Sequence, residues 1–286
     1  MRFLPTLLLL TFSAMSQTLH PSMLTSTGWL ASHLNDRSIV ILHTGTPQDY
    51  SAGHIPGSRL VTLPDISITD EQGLRLQLPA VGSLEQAFAR LGVTDHSRII
   101  VYAGNESVQS ATRVWFTLDY LGLGDRASLL DGGLALWHAE GRELSSGSSA
   151  AADGSFTPHP DPSRVATVDW VSGHLHDPGI QLLDARTPEF YTGASAGSMP
   201  RAGHIPGARN IPYPTVFDER GRLKPEAELR RMFAAKTTVT YCHIGQQATV
   251  LYFVARYLGL DARLYDGSFQ EWSRRPELPV EPVAQH

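Results

Sequence analysis

The second half of this sequence repeats the first, and that duplication limits the folds open to the chain more than any other feature. Gly28-Trp29-Leu30-Ala31-Ser32-His33-Leu34 returns as Asp169-Trp170-Val171-Ser172-Gly173-His174-Leu175, and Thr46-Pro47-Gln48-Asp49-Tyr50 returns at the same offset as Thr187-Pro188-Glu189-Phe190-Tyr191. Gly53-His54-Ile55-Pro56-Gly57 comes back as Gly203-His204-Ile205-Pro206-Gly207 after nine extra residues, which places an insertion within 192–202. Further on, Tyr120-Leu121-Gly122-Leu123 matches Tyr257-Leu258-Gly259-Leu260, and Asp131-Gly132-Gly133 matches Asp266-Gly267-Ser268. A repeat of this length defines two similar domains rather than a solenoid of short units. Residues 145–154, rich in serine, glycine and alanine, have the composition of a flexible linker. The expected organisation is an N-terminal domain over 17–144, a linker over 145–164 and a C-terminal domain over 165–286.

Each copy alternates short apolar strands with amphipathic helices, the pattern of a parallel sheet covered on both faces. Strands are predicted near 39–42, 99–102 and 127–130, with helices near 84–91 and 108–121. In the second copy the strands fall near 180–184, 239–241 and 263–265, and the helices near 226–233 and 248–258. In sheets of this kind ligands bind beyond the carboxyl ends of the strands.

Cys242 follows such an end directly, and it is the one cysteine of the chain. Thr238-Val239-Thr240-Tyr241 reads as a buried strand and 248–258 as a helix, so Cys242, His243, Ile244, Gly245, Gln246 and Gln247 form a strand-to-helix turn. The main-chain amides of such a turn can converge on the sulfur. Hydrogen bonds to a charged acceptor contribute about 1.5–3 kcal/mol each, so two well-aimed amides hold a thiolate without a histidine base. An inert core cysteine needs neither a glycine-bearing loop nor a helix start after it. In this loop Gly245 supplies backbone freedom, and Gln246 and Gln247 supply amide donors. His243 reads either as a donor or partial charge facing an anion or as a solvated loop histidine.

The 42% hydrophobic and 18% charged content fits a soluble globular chain, and a formal net charge of −5 offers no basic field for nucleic acid and no polybasic membrane patch. Arg2, the apolar run 3–12 and the small residues Ser13, Ala14 and Ser16 have the layout of a secretory signal cleaved after Ser16, too short to span a bilayer. The expected location is the periplasm or the exterior, with no membrane association after cleavage. In an oxidising compartment a single unpaired cysteine points to reactivity rather than to stapling. The histidines show no metal-ligand spacing with Cys242, and no glycine-rich phosphate loop ends in lysine, so neither a metal nor another cofactor is expected.

Together these residues resemble the rhodanese family of sulfurtransferases in its tandem form. The likeness rests on the Gly-His-Ile-Pro-Gly motif at 53–57 and 203–207, on the six-residue cysteine loop and on Asp184-Ala185-Arg186. It rests also on the run Ala262-Arg263-Leu264-Tyr265-Asp266-Gly267-Ser268-Phe269-Gln270-Glu271-Trp272, and it covers essentially the whole chain after the signal. The resemblance implies an α/β fold of two domains, each a parallel five-stranded sheet with helices on both faces. It implies that Cys242 carries a persulfide between half-reactions, taking sulfane sulfur from thiosulfate, or alternatively from 3-mercaptopyruvate, and passing it to cyanide or a thiol. It implies a substrate site of His243, Ile244, Gly245, Gln246 and Gln247, with Arg186 either recognising the donor anion or pairing with Asp184.

The family keeps its nucleophile in the C-terminal domain, and here Ala103 follows Tyr102 where Cys242 follows Tyr241. The N-terminal domain is then a packing partner that walls the cleft. Arg201, in the insertion beside His204, is a further candidate cation. His54 and His204 recur although only one half has the cysteine, so both read as structural turn residues, and Trp137 and Trp272 read as core anchors. The loop departs from the family: thiosulfate-preferring members often carry basic residues after the cysteine, and mercaptopyruvate-preferring ones Gly-Ser or Gly-Thr before Gly-Val-Thr. The donor therefore stays open. Two other classes compete. Related phosphatase and arsenate reductase loops are one residue longer and close on an arginine where this chain has Ala248, whereas a sulfur carrier or binding module would hold Cys242 without turnover.

Overall fold

The computed structural model describes residues 20–104, 108–148, 152–233 and 237–281, so the expected export segment 1–16 lies outside the described residues. In the first half the strands are β1 Leu24–Thr25, β2 Ile39–Thr44, β3 Arg59–Val61, β4 Arg98–Ala103 and β5 Ala127–Leu130. In the second they are β6 Val165–Ala166, β7 Ile180–Asp184, β8 Arg209–Asn210, β9 Thr237–Tyr241 and β10 Asp261–Tyr265. Each half closes into its own five-stranded sheet, in the orders β1-β5-β4-β2-β3 and β6-β10-β9-β7-β8. All pairings between these strands are parallel, with Ile41 opposite Ile100 and Leu182 opposite Val239 at the two sheet centres. Near-continuous Val and Ile runs in β2 and β4 match a sheet covered on both faces.

The helices are α1 Thr27–Ser32, α2 Pro47–Ala52, α3 Leu63–Ile66, α4 Val81–Arg90, α5 Val108–Tyr120 and α6 Gly133–Ala139, then α7 Val168–Gly173, α8 Pro188–Tyr191, α9 Glu226–Met232, α10 Ala248–Tyr257 and α11 Ser268–Trp272. Their starts repeat as the sequence does. Ser26 caps α1 and Thr167 caps α7, each accepting the N–H of a tryptophan three residues on, which satisfies an otherwise orphaned donor. His33 and His174 then stack on those tryptophans at 4.0 and 4.1 Å.

The two halves meet through α5 and α10. Gln109-Ser110-Ala111-Thr112 and Gln246-Gln247-Ala248-Thr249 are equivalent in the repeat, and Thr112 Oγ1 and Thr249 Oγ1 touch at 2.7 Å. Trp115 packs edge-on against Phe253 at 4.8 Å, and Phe116 against Tyr252 at 5.0 Å. Asp119, buried, accepts from Tyr252 Oη at 2.6 Å and Arg256 Nε at 3.2 Å. One apolar cluster runs through both halves here. Truncating one of these aromatics is expected to cost about 3–5 kcal/mol.

Two arms cross the boundary in opposite directions. Residues 68–77, closed by the antiparallel pair Ile68 and Gln77, lean on the C-terminal half, where Leu78 N–H donates to Asp266 and Arg75 N–H to Gln270. Residues 217–223, closed by Phe217 and Leu223, lean on the N-terminal half, where Leu223 N–H donates to Asp131. Of the segment expected to be a flexible linker, residues 149–151 lie outside the described residues. On either side of them Ser145 pairs with His54, Gly154 N–H donates to Ala89 O at 2.8 Å, and Phe156 is buried in the core.

Candidate active site

β9 delivers Tyr241 to the carboxyl edge of the second sheet and α10 starts at Ala248, so Cys242 to Gln247 form the turn between them. The Cys242 side chain is buried, 1% exposed, under that turn. Gly245 adopts φ +85°, and a Cβ there would lie 2.8 Å from Asp266 O. Only glycine meets both conditions without strain.

The main-chain groups of the turn sort by direction. Cys242 O and His243 O accept from Phe269 N–H and Gln270 N–H, both at 2.9 Å, and Gln246 O and Gln247 O accept from Thr249 N–H and Val250 N–H, both at 3.1 Å. Gly245 O accepts from Arg113 Nη1 at 3.2 Å. Cys242 N–H donates to Ser268 Oγ at 3.3 Å. Among the described residues, the N–H groups of His243, Ile244, Gly245, Gln246 and Gln247 find no protein acceptor. Four of these five residues are half-buried and Gly245 is buried, so the loop offers main-chain donors not already taken by the protein.

The side chains of the loop contribute less than the sequence suggested. Gln246 Nε2 donates to Ser110 Oγ at 3.1 Å, across the domain boundary. Ile244 packs with the apolar cluster that contains Met199 of the insertion. His243 lies edge-on to Phe190 at 4.4 Å, and burial, aided by the nearby Arg186 charge, lowers its pKa to about 4. It is neutral near pH 7, a form in which the ring can still donate one hydrogen bond.

Of the two roles open to Arg186 in the sequence, the structure shows the pairing with Asp184. Arg186 is 1% exposed and bound to Asp184, Nε to Oδ1 at 2.9 Å and Nη2 to Oδ2 at 2.6 Å, while Nη2 also donates to Gly203 O. Burial opposes its charge, but the Asp184 carboxylate more than offsets that and holds its pKa above the ordinary value, with a smaller contribution from Cys242. The pair therefore lies within electrostatic reach of the sulfur. Arg201 does not face the loop either. Its guanidinium donates to the carbonyls of Trp272, Ser273, Arg275 and Leu278 and ties the insertion to the end of α11.

His54 and His204 hold their turns: their Nδ1 atoms lie 2.7 and 2.9 Å from Tyr50 O and Tyr191 O, and their rings stack on those tyrosines. Three residues at the loop were missed from sequence: Arg113, Asp266 and Ser268. Ser268, at φ +53°, was the most detectable, because the other copy carries Gly133 in the same left-handed conformation.

Duplicated parallel sheets, with one buried thiol directly after β9 in the second copy, define a tandem α/β protein. Residues 26–140 and 167–275 each match the rhodanese-like domain. The chain is 32% identical to the 3-mercaptopyruvate sulfurtransferase of Escherichia coli strain K12, over 89% of this chain and 96% of that one. It is 29% identical to the thiosulfate sulfurtransferase of Corynebacterium glutamicum over 94% of each. The structure of the anaerobic ergothioneine biosynthesis enzyme from Chlorobium limicola, bound to trimethyl histidine, has the same fold, with a TM-score of 0.81 at 19% identity over 92% of this chain and 71% of that one. The chain belongs to the rhodanese family, as a sulfurtransferase of the thiosulfate/3-mercaptopyruvate kind.

Proposed function

We propose that the protein moves a sulfane sulfur from thiosulfate to cyanide or a thiol through a persulfide on Cys242. The observation that carries this reading is the loop that follows β9 from Cys242: among the described residues the amides of 243–247 find no protein acceptor, and its carbonyls are taken by Arg113 and by main-chain amides. In the first half-reaction the Cys242 thiolate attacks the outer sulfur of thiosulfate. The S–S bond to the sulfonate breaks, and sulfite leaves with the electron pair. In the second, the acceptor attacks the outer sulfur of the persulfide, and the Cys242 thiolate leaves. Negative charge sits on sulfur at every stage, and preorganised amides stabilise such charge without reorganising.

Thiosulfate suits this site because sulfite departs as a stable anion without a proton. Pyruvate departing from 3-mercaptopyruvate must gain a proton on its carbon skeleton, and the histidine of the loop is already deprotonated near pH 7. A 3-mercaptopyruvate donor remains the second reading, favoured by the name of the 32% identical relative. The layout of residues 1–16 supports an exported enzyme.

The test follows thiocyanate release from thiosulfate and cyanide, with mercaptopyruvate compared in the same preparation. Turnover is expected to fall to background in Cys242→Ser. Turnover on mercaptopyruvate alone would transfer the reading to that donor. A gain of one sulfur without turnover on either donor would favour a carrier.

A further inference from the structure

The carbonyls of Cys242, His243, Gln246 and Gln247 are drawn outward by amides of the C-terminal domain, but that of Gly245 is drawn outward by a side chain of the other domain. Arg113, on α5, is 0% exposed. Its Nη1 donates to Gly245 O at 3.2 Å and to Asp266 Oδ1 at 2.6 Å, and its Nη2 donates to Leu76 O at 2.7 Å. Leu76 sits at φ +62°, in a left-handed conformation that non-glycine residues rarely adopt. The arm at 68–77 is thus bent to bring a carbonyl onto this guanidinium.

In a trans peptide the C=O and the following N–H point in opposite directions. Holding Gly245 O against Arg113 therefore turns the Gln246 N–H away from Arg113. A carbonyl released from this contact could swing its negative end toward a thiolate or persulfide and work against it. Stability alone does not explain the arginine. Replacing a buried ion pair by well-packed apolar residues is often neutral or stabilising.

We propose that Arg113 is a positioning residue for the sulfur-transfer step, through which the N-terminal domain sets the peptide orientation of the Cys242 loop. The proposal rests on Cys242 being the thiol that accepts sulfur. It gives the cysteine-free half a defined part in the reaction without contact with the donor.

The experiment uses the full chain. Arg113→Met is compared with wild type for the pH midpoint of Cys242 alkylation by iodoacetamide, for the rate of persulfide formation followed by mass, and for thermal stability. The other charged and titratable groups around the loop, Asp184, Arg186, His243 and Asp266, stay in place. The alkylation midpoint is expected to rise by about one pH unit. Below that midpoint, persulfide formation is expected to slow about tenfold, since one unit is tenfold in thiolate. The donor concentration for half-saturation should stay within about twofold, because Arg113 does not touch the donor.

An unchanged midpoint and rate in folded Arg113→Met overturns the proposal. If that variant does not fold, the double variant Arg113→Met, Asp266→Asn leaves no unpaired buried charge, and the same midpoint rise is required of it. If wild type takes sulfur from neither thiosulfate nor mercaptopyruvate, the functional reading fails, while the alkylation profile still decides the role of Arg113.

Discussion

The N-terminal and C-terminal halves share a scaffold down to helix caps and stacked histidines, yet differ at the residues standing at their strand ends. Tyr241 Oη accepts the Ile205 N–H as Tyr102 Oη accepts the Ile55 N–H. Beyond that point the copies part. At the position of Asp184 the first half has His43, at Arg186 it has Gly45, at Cys242 it has Ala103, and at Ser268 it has Gly133. In the second half Asp184 and Arg186 form a buried pair beneath the loop. In the first half the His43 ring fills that room: a Cβ at Gly104 would fall 2.3 Å from its Nε2. The difference teaches that packing keeps the sheets and helices alike, whereas the site depends on a few polar groups at the carboxyl edge. The first half still serves the second through Arg113 and the arm at 68–77.

The strongest way to break this comparison is to place the same methyl group in both loops. Gly245→Ala meets Asp266 O at 2.8 Å in a left-handed backbone. It is expected to cost about 1–3 kcal/mol and to slow persulfide formation by about a hundredfold, as loss of an anion-hole donor does. Gly104→Ala collides with His43 and is expected to destabilise by about 1–3 kcal/mol, but to leave sulfur transfer within about twofold of wild type. Equal losses of activity in the two variants would show that the halves are not divided in this way. The measurements are thermal melts and mass-resolved persulfide kinetics.

Acid sharpens the same contrast. His43 and His243 are both held neutral, with pKa lowered to about 4 by burial from an ordinary 6.5. Between about pH 4 and 6.5 the unfolded chain binds protons that the folded chain refuses. The stability is therefore fully present above 6.5 and is lost as pH falls toward 4. At pH 5 the His43 contribution is expected to be about 2 kcal/mol, read as a fall in Tm between pH 7 and pH 5 that shrinks in His43→Phe. An identical fall in that variant would remove His43 as the cause.

Ser268→Gly copies the first half into the second. It relieves a left-handed residue at φ +53° but removes the hydroxyl that accepts the Cys242 N–H. The two effects, each about 1 kcal/mol, oppose one another in stability, so Tm should hardly move. Persulfide formation is expected to slow roughly threefold to tenfold, the equivalent of one hydrogen bond. A faster rate would mean that the strain, not the hydroxyl, limits the loop.

What was legible in the sequence follows from the same physics. The inner strands β2 and β4 stood out because their apolar runs are buried on both faces, and the loop stood out because a cysteine and a glycine separate a β-branched run from a helical one. The edge strands β1, β3, β6 and β8 span only two or three residues each, too few for any periodicity to show. Arg113 was not legible as a site residue, because its partners Leu76, Gly245 and Asp266 are brought together only by folding. Arg201 was ambiguous in the opposite direction: a cation near a motif invites an anion, whereas its guanidinium is held by backbone carbonyls. Arg186 was open between an anion and Asp184, and the structure shows the latter contact.

The smallest expected effect is the most specific. Ala103→Cys puts a thiol at the strand end equivalent to Cys242, but without an Asp184–Arg186 pair beneath it or a serine at the position of Gly133. If a thiol at a strand end were sufficient, the variant would take up two sulfur atoms from the donor. If the outward-turned carbonyls and their clamps are what make the site, it takes up one, and turnover matches wild type within about twofold. Mass spectrometry of the donor-treated variant separates the two outcomes. A single added sulfur, mapped to the peptide containing Cys242, would place the chemistry in the surroundings of the thiol rather than in the thiol itself.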